Sequence, residues 1–193
     1  MKRLLITGFD PFGGSNINPS WLAVEMLPEQ VGDYMLCKLP IPTVFEKAAS
    51  LVLKKAAEFQ PDLILCIGLA SGRDAVTPER IAVNIRDARI PDNEGNQPSG
   101  SRIVPDGPAA YFATAPVEKM AQAIRDRGIP SSVSNTAGAF VCNDVFYSVL
   151  HHYAQTGTPI DFIHIPNTPE LGEPALPLDK IVSALTAAII ACS

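Results

Sequence analysis

Apolar positions along this chain recur in two rhythms. Short, nearly continuous apolar runs of strand length occur at residues 2–7, 34–39, 63–67 and 160–165. Between them lie segments with one apolar face at helical spacing. The spacing predicts helices from Pro19 to Met26, Thr43 to Phe59, Val117 to Arg127, Val141 to Leu150 and Leu178 to Ala191. In the second of these, Val44, Ala48, Leu51, Val52, Lys55 and Phe59 fall on related turns; in the fourth, Val141, Val145, Phe146, Val149 and Leu150 do so. A further short strand is predicted near Ser131.

Strands alternating with helices predict an α/β fold, an open, twisted, mostly parallel sheet with helices on both faces. The alternation is interrupted by a polar excursion from Gly68 to about Pro108. Within it, Arg80-Ile-Ala-Val-Asn-Ile-Arg86 alternates as a strand does, so a hairpin-like insertion is expected after the third strand. An irregular stretch of that length in a compact domain is usually functional or disordered. At 193 residues the chain has the length of one domain, residues 1–193, with a sizeable core.

Composition narrows the function. The net charge of −5 is spread along the chain with no basic stripe, which argues against a nucleic-acid partner. The apolar run after Met1 is too short for a signal segment, and no stretch has the length of a membrane span, so a cytoplasmic protein without a membrane partner is expected. Cys37, Cys66, Cys142 and Cys192 show no zinc-site spacing, so neither a metal nor a cofactor is implied and free thiols are expected.

In open parallel sheets, ligands sit beyond the carboxyl ends of the strands, where successive loops converge. Phe9 and Phe12 follow the first strand, Leu69 to Glu79 follow the third, Asn135 to Gly138 lead into the helix carrying Cys142, and His164 ends the strand at 160–165. A cysteine, a histidine and a carboxylate can therefore meet at one sheet edge. A thiol of pKa about 8.5 is only roughly 3% ionised at pH 7, and a helix N-terminus with a neighbouring imidazolium can bring that value down by about two units. Cys142 then serves as nucleophile, His164 as acid and base, and Glu79 as the carboxylate that orients the ring.

Each residue also has a plainer reading. Cys142 and His164 can be buried core residues, Glu79 can pair with Arg80 or Arg86, and Phe9 and Phe12 can anchor their loop. His151 and His152 end a helix and read as structural, whereas Asp144 is expected to be solvated or to cap the helix.

Six motifs extend the Cys-His-Glu reading: Thr7-Gly-Phe-Asp-Pro-Phe-Gly-Gly14, Asn18-Pro-Ser20, Pro78-Glu-Arg-Ile-Ala-Val-Asn84, Asp87-Ala-Arg-Ile-Pro-Asp-Asn93, Ser134-Asn-Thr-Ala-Gly-Ala-Phe-Val-Cys-Asn143 and Phe162-Ile-His-Ile-Pro166. In this order they make the chain resemble the pyrrolidone carboxyl peptidases, or type I pyroglutamyl peptidases, a family of cytosolic cysteine peptidases. The resemblance implies hydrolysis of the amide bond after an N-terminal pyroglutamate, with Cys142, His164 and Glu79 as the catalytic set. It implies that Phe9 and Phe12 flank the lactam ring, joined by Asn18 in substrate binding, and that Arg89 supports the oxyanion. It also implies a homo-oligomer, commonly a tetramer.

Two departures border this set. Leu69 stands where many members carry an amide, and Asn167-Thr168 follow Pro166 where the family commonly has an aromatic or apolar pair. Both bear on substrate affinity and pocket shape. Two other functions fit parts of the chain: a catalytically silent binder of pyroglutamyl peptides, and a nucleotide-binding α/β protein. For the latter, Gly8 and Gly13-Gly14 match neither G-x-G-x-x-G nor a P-loop with its lysine.

Overall fold

A computed structural model describes residues 1–193. The elements run β1 (Lys2–Phe9), α1 (Pro19–Met26), β2 (Gln30–Val31), β3 (Tyr34–Ile41), α2 (Lys47–Phe59), β4 (Leu63–Leu69), β5 (Thr77–Pro78), β6 (Ile81–Val83), β7 (Ala110–Phe112), α3 (Val117–Arg125), α4 (Val141–Tyr153), β8 (Ile160–Ile165), a 3₁₀ turn (Pro169–Leu171) and α5 (Leu178–Ile190). Six strands form one sheet in the order β2-β3-β1-β4-β8-β5. Its four central strands are parallel, and the short β2 and β5 close its two edges in the antiparallel sense.

The central strands are buried on both faces, so they read as continuous apolar runs. Alternate residues enter two separate cores. Leu4 and Ile6, Leu65 and Ile67, and Ile163 and Ile165 pack with α1, α3 and α5, whereas Leu5 and Phe9, Ile64 and Cys66, and Ile160 and Phe162 pack with α2 and α4. At the end of β1 a Cβ on Gly8 would lie 2.6 Å from the Trp21 Cα. Only a glycine lets α1 pack so close. No helix is long and apolar enough to cross a membrane.

Two expectations are corrected. Helix α2 begins at Lys47 rather than Thr43. The intervening backbone N–H groups are taken by carboxylates from elsewhere: Thr43 bonds to Asp10, Phe45 to Asp92 and Glu46 to Asp144, at 2.7, 2.9 and 2.8 Å. Around Ser131 there is no strand but two isolated bridges, Val76 with Ser131 and Glu79 with Ser134. Pro130 cannot donate to a ladder, which suits an edge that pairs only in places. The insertion does form an antiparallel pair, yet β6 joins β7, so its connection spans most of the excursion.

Asp161, on β8, is buried on the side of Ile163, and neither carboxylate oxygen has a hydrogen-bond partner. Burial pushes this carboxyl well above the ordinary carboxylate range, against the nearby Phe162 N–H and with the Glu79 charge acting in the same direction. A carboxyl whose pKa is raised by folding costs stability once the pH exceeds its unfolded pKa of about 3.9. Asp161→Asn should therefore raise the melting temperature at pH 8, and the gain should shrink as the pH falls toward 4. Thermal denaturation across that range measures it.

Candidate active site

Helix α4 begins directly after Phe140, whose backbone is extended, and no side chain caps it. The opening N–H groups of an uncapped helix seek acceptors outside the helix. Cys142 is the second helical residue, and the two residues after it tie the helix end to the excursion. The Asn143 carboxamide accepts from Val83 N–H at 2.9 Å and donates to the Val83 and Ile85 carbonyls at 2.8 and 3.0 Å. Asp144 accepts from Arg86 Nε at 2.7 Å and from Glu46 N–H at 2.8 Å.

Asp144 is thus fully buried rather than solvated, because the excursion folds over the helix face that it occupies. Burial raises its carboxyl pKa, opposed by the Glu46 N–H and by Arg86.

The cysteine sulfur lies against β4 at Gly68, 3.0 Å from the point that a Gly68 Cβ would occupy; the Phe162 ring would stand 2.6 Å from the same point. Gly68 is the register partner of His164 in the β4–β8 pair. His164 falls two residues after Phe162, so it shares the sheet face toward α4. Its ring centroid is 4.8 Å from that of Phe162.

On its other flank β8 pairs with β5, Thr77 opposite His164, and the chain leaving β5 brings in Glu79, whose N–H donates to the Phe162 carbonyl at 2.9 Å. Glu79 Oε1 accepts from His164 Nδ1 at 2.7 Å, which leaves Nε2 as the ring nitrogen free to exchange a proton. Glu79 pairs with neither Arg80 nor Arg86. Arg80 binds Asn135 and Glu118, and Arg86 binds Asp144 and Glu46. Instead, Arg73 donates to Glu79 Oε1 at 2.7 Å.

Electrostatics here depart from the expected thiolate. Burial pushes the Cys142 thiol up to about 12, the Glu79 charge adds to this, and Arg73 and the residue's own N–H oppose it. His164 is shifted below its ordinary value by burial, against the pull of Glu79. Both directions favour uncharged partners, a thiol and a neutral imidazole. Desolvation outweighs the helix terminus because it penalises either ion created without the other. Such a pair can still work, with the imidazole taking the proton as the sulfur attacks.

Cys142 lines a cavity of about 630 Å³ together with Phe9, Phe12, Asn18 and Arg89. Phe140, which sequence reasoning passed over, is a third aromatic wall, with ring centroids 5.3 Å from Phe12 and 5.2 Å from Phe45. Its apolar character beside the helix start was the available signal. Phe9 is buried with its ring 6.2 Å from Phe162, so it serves the core as well as the cavity.

Asn18 Oδ1 caps α1 by accepting from Ser20 N–H at 3.1 Å, and its amide donates to the Asp10 carbonyl at 2.8 Å. The Arg89 side chain is exposed at the rim and makes no hydrogen bond or ion pair. Leu69 and Asn167 also line the cavity, so two of the departing positions face it, whereas Thr168 is buried away from it. His151 lies elsewhere, bonded to the Tyr111 hydroxyl at 2.9 Å.

A sequence model of the family described as pyroglutamyl peptidase matches residues 2–193. The chain belongs to the pyroglutamyl peptidase family. It is 46% identical over 196 residues to the pyrrolidone-carboxylate peptidase of Bacillus licheniformis, covering 98% of this chain and 91% of that one. Its fold matches the crystal structure of pyroglutamyl peptidase I from Bacillus amyloliquefaciens with a TM-score of 0.96 at 44% identity, over 100% of this chain and 97% of that one. The pyrrolidone carboxyl peptidase of Thermococcus litoralis matches with a TM-score of 0.95 at 37% identity, over 100% and 93% of the two chains.

Gly68→Ala should displace the Phe162 ring or the Cys142 sulfur. A stability loss of about 1–3 kcal/mol is expected from overpacking. Hydrolytic activity should fall by more than this loss of folded protein explains, as thermal melts and rates on the same sample would measure.

Proposed function

We propose that residues 1–193 act as one cysteine peptidase domain that removes an N-terminal pyroglutamate from peptides. Family membership supports the reaction class. The observation that carries the residue roles is the 2.7 Å contact between His164 Nδ1 and Glu79, beside the Cys142 sulfur at Gly68. Pyroglutamate is a neutral five-membered lactam, and the aromatic walls of Phe9, Phe12 and Phe140 suit its apolar faces. Asn18, already bonded on both ends, shapes the cavity from its α1 side.

In this reading His164 Nε2 takes the thiol proton as Cys142 Sγ attacks the carbonyl carbon that joins pyroglutamate to the next residue. The negative charge passes to the carbonyl oxygen, within the field of the uncapped α4 terminus and of Arg89. When the tetrahedral adduct collapses, the C–N bond breaks and His164 returns the proton to the leaving amine. A water then attacks the thioester with His164 again as base, which releases 5-oxoproline and restores the thiol.

Four free cysteines suit a reducing cytoplasm. Exposed apolar side chains, among them Met26, Met35 and Phe112, suit burial in a homo-oligomer, which sedimentation would measure.

Purified protein should hydrolyse a pyroglutamyl fluorogenic amide under reducing conditions, and Cys142→Ala should lose at least about 10³-fold in kcat. An inert wild-type protein or an active Cys142→Ala variant would refute the reading. Because His164 acts as a base only when neutral and its pKa is lowered from 6.5, the acid limb of kcat/KM should lie below pH 6.5.

A further inference from the structure

Glu79 has no exposure to solvent, and its two oxygens are treated unequally. Oε1 accepts from both His164 Nδ1 and Arg73 Nη1, each at 2.7 Å, whereas Oε2 is buried without a partner. Arg73 is the only cation within ion-pair distance of this carboxylate apart from the imidazole itself. It is held in place by Thr77 Oγ1 and by the Thr136 carbonyl, to which Nη2 donates at 2.9 Å.

Arg73 does not line the substrate cavity. It lines a second, polar cavity of about 400 Å³ with Thr77, Ser132 and Ser134, and exposed residues Gly72, Asp74 and Ser132 border that cavity.

We propose that Arg73 is a positioning residue of this site: from outside the substrate cavity its guanidinium holds Glu79 as a charged acceptor for His164, so that the imidazole stays free to take the Cys142 proton. This rests on the peptidase reading above. A carboxylate wholly out of water and stripped of its cation must either bind a proton or draw one onto its remaining partner. In the first case the ring loses its acceptor and its orientation; in the second it is already protonated and cannot act as base. The charge of Arg73 opposes both.

The charged groups acting on His164 are Glu79 and, behind it, Arg73, and the same two act on the Cys142 thiol; burial raises the Asp161 carboxyl, which lies close to Glu79. The charge of Arg73 favours neutral His164 and ionised Cys142, so its removal shifts both titrations upward.

The test compares Arg73→Gln, Arg73→Lys and Arg73→Ala with wild type in two assays: hydrolysis of a pyroglutamyl amide, and the rate of Cys142 alkylation by iodoacetamide against pH, which needs no substrate. Arg73→Gln should lose roughly 10- to 100-fold in kcat, the size of one charged hydrogen bond, with KM within about twofold. Its acid limb and its alkylation midpoint should both move to higher pH. Arg73→Lys should keep both near wild type.

Arg73→Ala should regain activity in millimolar guanidinium, far below denaturing concentrations, which enters through the outer cavity. Wild-type kcat and midpoints in Arg73→Gln would overturn the proposal. So would equal losses at every pH in all three variants without rescue, the mark of a merely structural role. Should Arg73→Gln fail to fold, an alkylation midpoint raised in Arg73→Ala and restored by guanidinium supports it, and a wild-type midpoint in Arg73→Ala overturns it. Inert wild-type protein would strike the peptidase reading instead, while the alkylation profile would still decide the role of Arg73.

Discussion

The contact on which the site depends is a hydrogen bond in the dry interior, between the imidazole of His164 and the carboxylate of Glu79. Glu79 is wholly removed from water, and an unpaired charge buried there would cost several kcal/mol. Two strand pairings on β8 bring the two side chains together. The parallel pairing with β4 sets His164 opposite Gly68, and the antiparallel pairing with β5 delivers Glu79 one residue after that strand ends. The short antiparallel edge is therefore what supplies the carboxylate.

Burial sets the resting chemistry of the same region. A helix terminus and a nearby cation favour a thiolate, yet removal from water favours neutral groups, and desolvation wins. The proposed nucleophile consequently depends on its base during the attack itself. That makes ring orientation, and whatever holds Glu79, central to the rate.

The excursion between β4 and α3 supports the site mechanically. Its β6 strand grips Asn143 and its Arg86 grips Asp144, the two residues that follow Cys142. Farther along, Asp92 accepts from Phe45 N–H and Asn93 donates to Asp10, which ties the excursion to the loops bearing Phe12 and Thr43. A long polar insertion thus encloses the cavity and fastens the start of α4.

The central strands, the five helices and the meeting of a cysteine, a histidine and a carboxylate at one sheet edge were legible in the residues, because burial on one or two faces writes itself as periodicity and strand ends gather loops. Arg73, Phe140 and the burial of Asp144 were not, although Arg73 stands only six residues before Glu79. A lone charge in a polar loop carries no pattern that says which buried group it meets, and helical spacing places Asp144 on a face without saying what covers that face. The order of residues alone sets the alternation of strand and helix and the reactive residue types at the strand ends. Their partners follow from packing, since ion pairs and desolvation depend on which segments meet across the fold.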